Sequence, residues 1–354
     1  MAKERIIYLD VLRVLACCMI VLMHSPHPNA GNPGALLVPL SFITAAGIGL
    51  FFMVSGALLL PVKTDTSSFL KKRFGKIVGP LLFWTLFYLG VSIISGEKPV
   101  SSLPHALASI PFSKQGHGVL WFLYTLAGLY LLAPIISPFW GKASRRELIF
   151  YLILWAIALC FPILANVVDV DSNPTGMLYY FSGYVGYFIL GYYLHTYKPQ
   201  IPFYMTLFML VVPVICLLLA KMFYDKDGIL SDYFWYLSIF VAMMCVAWFD
   251  GVKRLVSKCK FGEGGSLILQ KLSDCCFGIY LVHIFIMRYI LWNIDAIVYN
   301  FGGIGQIIIT WVLTFAISFA LTWTISYMPF SEYIIGFTSR RRKLANTNFT
   351  KEHK

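Results

Sequence analysis

Ile6–Ser25 reads IIYLDVLRVLACCMIVLMHS, and this stretch decides the fold class. It holds about the number of residues an α-helix needs to cross ~30 Å of hydrocarbon. Three ionisable side chains interrupt it: Asp10, Arg13 and His24. At ~100° per residue, positions eleven apart come back to within ~20° of each other, so Asp10, Arg13, Cys17, Val21 and His24 line one stripe of the helix. His24 lies ~16 Å further along the axis than Arg13. Lys3 and Arg5 precede the run as they would in a secretion signal, but the internal charges and the lack of a small-residue cleavage site before Pro26 predict a retained helix.

Nine further apolar runs follow, at about Leu40–Leu60, Ile77–Ser95, Gly118–Phe139, Glu147–Ala165, Met177–Thr196, Ile201–Met222, Tyr233–Phe249, Cys275–Asn293 and Ile304–Met328. Of the 354 residues 59% are apolar and only 12% charged, and the mean hydropathy is +0.75, which excludes an ordinary water-soluble enzyme. The expectation is an all-α polytopic transmembrane helical bundle of about ten spans. Residues 1–330 form a single membrane domain and 331–354 a basic cytoplasmic tail.

The net charge of +12 raises the question of a nucleic-acid partner. With a cytoplasmic N-terminus, 22 of the 28 lysines and arginines fall in inner segments and the tail Arg340–Lys343 also comes out inside. The positive-inside rule then accounts for the basicity, both termini are cytoplasmic, and no nucleic acid is called for. Seven of the eight cysteines fall within spans and Cys259 in an inner loop. That pattern predicts neither a disulfide framework nor a metal site, and reads Cys17–Cys18 and Cys275–Cys276 as small apolar packing.

An ionisable side chain in the hydrocarbon costs roughly 2.5–3.5 kcal/mol by insertion scales, so the few that occur call for a role or a partner. For Arg13 the plain alternative to a role is an ion pair with Asp10 at i−3. For His24, expected near the outer face, it is a hydrogen bond to a carbonyl near the Pro26–Pro28 turn. A neutral imidazole at the mouth of a polar cavity is also suited to general-base work near pH 7. On the ninth run His283 shares a stripe with Tyr280 and Met287, and reads equally as a satisfied core histidine or as a support for the site. Arg288, ~140° round an ideal helix from His283, is expected to face elsewhere. Trp121, Tyr124 and Tyr130 read first as packing and second as lining of an acyl or sugar pocket. Gly47, Gly49, Ser55 and Gly56 predict a close helix approach. In the loops, Lys71, Lys72, Arg73 and Lys76 cluster at an inner mouth. They suit phosphates, anionic lipid headgroups, or the positive-inside rule alone. The outer loop Gly96–His117, with His105 and His117, reads as a cap over a site or as a solvated connector.

The spacing of Arg13 and His24, R-x10-H within YLDVLRVLACCMIVLMHS, resembles the opening of the membrane acyltransferase family 3. FFMVSGALLL (Phe51–Leu60), FLKKRFGKIVGP (Phe69–Pro80), LWFLYTLAGLYLLAPI (Leu120–Ile135), ILGYYL (Ile189–Leu194) and GIYLVHIFI (Gly278–Ile286) match in the same order, over roughly Ile6–Met328. The resemblance implies a multi-pass enzyme of the bacterial inner membrane. It would move an acyl group, most often acetyl, from cytoplasmic acyl-CoA (acetyl-CoA) to a hydroxyl of a polysaccharide, lipid-linked sugar or other glycoconjugate. It implies catalytic roles for His24, deprotonating the acceptor hydroxyl or relaying the acyl group, and for Arg13, holding or orienting the donor thioester or an anionic group, with Arg73, Lys76 and Lys72 at the CoA phosphates. Asp10, Trp121, Tyr280 and His283 would support or line the site. The family's R-x-x-R stands here as Arg73–Phe74–Gly75–Lys76, and lysine keeps the charge but loses the bidentate fork. The expected partners are membrane lipid, a glycan or glycolipid acceptor and polysaccharide-assembly proteins, with acyl-CoA as co-substrate and no metal. Two other classes compete: a transporter of a sugar, lipid-linked intermediate or small anion, and a silent scaffold. Inverted halves with helices broken at matching positions would favour the transporter, and none stands out.

Overall fold

The computed structural model describes residues 5–28, 33–110, 118–168, 176–224 and 235–339, and among them every regular element is helical. The principal helices are α1 (Ile7–His24), α2 (Pro33–Thr44), α3 (Ala46–Leu59), α4 (Thr66–Ile94), α5 (Leu103–Ser109), α6 (Trp121–Trp140) and α7 (Arg145–Val168). They are followed by α8 (Val185–Thr196), α9 (Phe203–Tyr224), α10 (Ile239–Lys258), α11 (Glu263–Phe285), α12 (Asp295–Tyr299), α13 (Gly302–Ile325) and α14 (Ser331–Ile335). A π-helical turn, Ile286–Ile290, prolongs α11.

Seven segments are long and apolar enough to cross a membrane: Ile7–His24, Pro39–Leu59, Thr66–Ile94, Gly118–Trp140, Phe203–Met222, Glu263–Asn293 and Gly302–Ile325. The other three expected spans correspond to α7, α8 and α10 but do not meet that standard, and the runs from Met177 and Tyr233 become α-helical only at Val185 and Ile239. The physical reason is clearest for α8. Twelve residues rise only ~18 Å, and Gly186 to Leu194 are all buried between other helices, so this element meets protein rather than lipid. The chain is a multi-pass helical membrane protein. Its lipid-facing surface is evident on α9 and α13, where Phe203, Phe208, Leu218, Met222, Ile308 and Val312 are exposed.

Two expected inner loops are largely helix. Asp65 caps α4 by accepting from Ser68 N–H at 2.8 Å, which also holds its carboxyl below the usual carboxylate range, and the helix then runs unbroken through the basic segment. At 29 residues α4 is ~43 Å long, so its basic first turns project beyond a hydrocarbon core. Likewise α11 starts at Glu263, well before Cys275.

The centre of the bundle is α3, packed chiefly against α8 and also against α1 and α10, while α1 lies between α3 and α11. Glycine permits the α3–α8 contact. A Cβ on Gly56 would fall 1.7 Å from the Phe188 carbonyl oxygen, and one on Gly191 would fall 2.0 Å from that of Met53. The two backbones touch at both points, as small residues allow in membrane helices. Outside this centre, α9 packs on α10, α13 on α11, and α14 on α4, where Trp84 Nε1 donates to the Ile334 carbonyl at 2.8 Å. One face of α13 inverts the usual amphipathic pattern. Gln306, Thr310, Thr314, Ser318 and Thr322, four residues apart, are all buried while apolar residues such as Ile308, Val312, Leu313 and Ile317 are exposed.

Candidate active site

The helix α1 carries a polar cluster at each end, and each cluster is completed by α11. At the N-terminal end Asp10 is the hub. Its carboxylate accepts from Arg5 Nε at 2.6 Å and from Ser273 Oγ at 2.6 Å, and lies 3.6 Å from Arg13 NH1. Ser273 in turn accepts from Arg13 NH1 at 3.0 Å, and Arg5 NH2 reaches Asp274 at 2.9 Å. The ion pair foreseen between Asp10 and Arg13 is therefore one arm of a network that joins α1 to α11. Arg5, Asp10, Phe261, Glu263 and Ser266 border a cleft of 440 Å³ beside it.

The basic turns of α4 approach this network from the other side. Lys76 lies within Coulombic range of Arg73, Lys72, Arg13 and Asp274, and Tyr130 of α6 within range of both Arg73 and Arg13. Lys72 and Lys76 are exposed, and Arg73 is half-buried with its guanidinium 5.6 Å from the Phe69 ring centre. Among the described residues Arg73 Nε is buried with no hydrogen-bond partner. An unpaired cationic donor flanked by further cations is the chemistry that receives a phosphate or another anion.

At the C-terminal end of α1 the centres of the His24 and His283 rings stand 5.2 Å apart. His24 Nδ1 is 2.8 Å from the Ile20 carbonyl, and His283 Nδ1 is 2.6 Å from that of Tyr280. A carbonyl only accepts, so each Nδ1 carries the proton and each neutral ring keeps its lone pair on Nε2. The turn after α1 is pinned from α13: Gln306 Nε2 donates to the Ser25 carbonyl at 3.1 Å, and His27 N–H donates to Gln306 Oε1 at 3.2 Å.

Both His24 and His283 lie within Coulombic range of Arg288. On an ideal helix Arg288 would point ~140° away from His283; it lies within the π-helical turn Ile286–Ile290 and is exposed, while His283 is fully buried, so only its charge reaches the two rings. Arg288 lies over Trp292 at 5.9 Å, and Trp292 meets the His27 ring edge-on at 5.0 Å.

Of the aromatic residues expected near the site, Tyr280 is buried between Phe122, at 5.3 Å, and His283, at 5.8 Å, and donates to the Val119 carbonyl. Trp121 stacks on Tyr236 at 5.3 Å, and Tyr236 reaches Met23 Sδ, so this aromatic group abuts the outer end of α1. The buried cysteines pack as expected, with Cys17 Sγ donating to the Cys276 carbonyl. His105 is exposed on α5, and His117 lies outside the described residues. Sequence reading missed Arg5, Ser273, Asp274 and Gln306 as members of the two clusters. A buried glutamine on an apolar helix was the one visible signal among them.

A family model for an acyltransferase domain matches residues 6–327, nearly the whole chain. The chain belongs to acyltransferase family 3. Comparison with curated proteins and with solved structures found no match. In this acyltransferase the family's R-x10-H spacing is the separation between the two clusters. Arg13 sits among the cations at the N-terminal end of α1 and His24 beside His283, ~16 Å apart along the helix.

Proposed function

We propose that this membrane acyltransferase takes an acyl group, most simply acetyl, from cytoplasmic acyl-CoA and passes it to a hydroxyl of a surface polysaccharide or lipid-linked sugar. The site of action is the bacterial inner membrane, with both termini cytoplasmic and ten helices embedded. The observation that carries the reading is the division of α1 into a cationic inner end and a two-histidine outer end. CoA is a polyanion and would be held at Arg73, Lys76, Lys72 and Arg13, of which Arg73 has the buried unpaired Nε–H. The acceptor hydroxyl needs a base, and His24 Nε2 has its lone pair available because Nδ1 is committed to the Ile20 carbonyl.

In the reaction His24 Nε2 takes the hydroxyl proton, the oxygen attacks the thioester carbonyl, and the carbon–sulfur bond breaks. The CoA thiolate leaves with the proton that His24 held. A separation of ~16 Å means Arg13 and His24 act on different parts of the donor. Arg13 orients the donor and does not touch the reacting carbon, and Asp10 with Ser273 positions Arg13. Glycan, glycolipid and polysaccharide-assembly proteins are the partners this reading entails.

The test is purified protein in lipid nanodiscs with acetyl-labelled acetyl-CoA and a glycan acceptor. His24→Ala, inserted normally, is expected to lose transfer by at least ~10²-fold, the usual contribution of a general base. Parental rates in that variant would sink the base assignment, and substrate counterflow without acyl-CoA would replace the enzyme by a transporter.

A further inference from the structure

The histidine left over by this mechanism is His283. It is fully buried, its Nδ1 is committed to the Tyr280 carbonyl, and its Nε2 has no partner among the described residues. A buried acceptor left unpaired costs about 1–3 kcal/mol. The hydroxyls beside it do not relieve that cost: Tyr280 donates to the Val119 carbonyl, and Tyr88 donates to the Leu281 carbonyl at 2.7 Å. Among the described residues no donor reaches this lone pair, so it is open to a donor on a bound ligand. The two imidazoles, 5.2 Å apart between ring centres, do not serve each other: with each Nδ1–H committed to a carbonyl, both Nε2 atoms are acceptors.

Resting on the assignment of His24 as the acceptor base, we propose that His283 binds a second hydroxyl of the acceptor, next to the one that is acylated. One hydroxyl can donate only one hydrogen bond, and the site offers two acceptor nitrogens. Neighbouring hydroxyls on a sugar ring lie about one hydrogen-bond length apart, ~2.8 Å, so one can donate to His24 Nε2 and the other to His283 Nε2. The acceptor class is thus a vicinal diol, with acylation of one oxygen. His283 fixes which hydroxyl meets the base and takes no proton itself. Arg288, within Coulombic range of both rings, and the aromatic Tyr280 and Trp292 are the other groups that border this end.

The experiment compares methyl hexopyranosides with their 2-, 3-, 4- and 6-deoxy analogues in nanodiscs, reading both acetyl transfer and sugar binding by saturation-transfer NMR without donor. The parental protein is expected to prefer the intact diol over the analogue lacking the neighbouring hydroxyl by about 10- to 100-fold in acceptor KM, the loss expected for a buried unpaired acceptor. His283→Leu should level the two sugars. His283→Gln, whose Oε1 can accept in place of Nε2, should restore part of the preference and guards against a misfolded leucine variant. An unchanged diol-to-deoxy ratio in His283→Leu, or equal use of both sugars by the parent because water fills the position, overturns the proposal. If no acyl transfer occurs at all, the acyltransferase reading of the site fails separately. The binding ratio still decides the role of His283, and no binding of either sugar overturns it.

Discussion

Replacing Asp10 by asparagine isolates charge from shape at the inner hub. The amide keeps an acceptor for Ser273, which sits 2.6 Å from Oδ1, but two cations lose their counter-charge: Arg5 at 2.6 Å and Arg13 at 3.6 Å. A hydrogen bond to a charged group contributes about 1.5–3 kcal/mol and a neutral one about 0.5–1.5, so the change removes about 1 kcal/mol for each cation. The Arg5 side chain is 31% exposed and keeps Asp274, which screens and partly offsets its share. The expected loss is about 1.5 kcal/mol, roughly a tenfold shift in the folding equilibrium. Unfolding by SDS titration from mixed micelles, read through the nine tryptophans, measures it. The variant should also raise KM for acyl-CoA several-fold while leaving acceptor KM unchanged, because Arg13 loses part of its positioning. A loss below ~0.3 kcal/mol, or no coupling between Asp10→Asn and Arg5→Gln in a double-mutant cycle, would refute the shared-hub reasoning.

Two further outcomes follow from the packing and the basic mouth. Arg73→Ala should weaken acyl-CoA binding about tenfold with acceptor binding unchanged, and Lys76→Arg should tighten it by restoring a second planar fork; isothermal titration with CoA reads both, and equal affinities would remove CoA from this mouth. Gly191→Ala would place a methyl 2.0 Å from the Met53 carbonyl oxygen and force α3 and α8 apart by about 1–1.5 Å, since neither backbone can step aside. Destabilisation of about 3 kcal/mol or more is expected in the same SDS titration, and parental stability would show that the helices do not meet there.

Much of the architecture was legible because hydrophobic length is a local property. Every expected span contains a helix, though Met177–Thr196 becomes α-helical only at Val185 and Tyr233–Phe249 only at Ile239, and the lipid crossing of α7, α8 and α10 goes beyond what length and composition support. The close approach foreseen from Gly47, Gly49 and Gly56 is real, but its partners, Ala16 and Met19 on α1, Tyr187 and Phe188 on α8 and Cys245 on α10, were not identifiable. Contact between helices distant in the chain leaves no periodic signal within either one. The inner loops were misjudged for a related reason. Helical hydrogen bonding does not stop where polarity begins, so α4 and α11 continue past the apolar runs that marked them.

The sequence by itself determined that Asp10, Arg13 and His24 share one stripe, because helical periodicity makes that arithmetic. It also determined the membrane class through composition, and the family through the order of its motifs. Tertiary structure alone decided what each end of the stripe meets. Arg13 and Asp10 found Ser273 some 260 residues away, and His24 found His283 on the same partner helix. The π-helical turn that carries Arg288 is likewise a change of local winding that the average rotation per residue cannot foretell. Side-chain chemistry is written residue by residue, but the company a side chain keeps depends on how helices pack, and that is settled by the whole bundle at once.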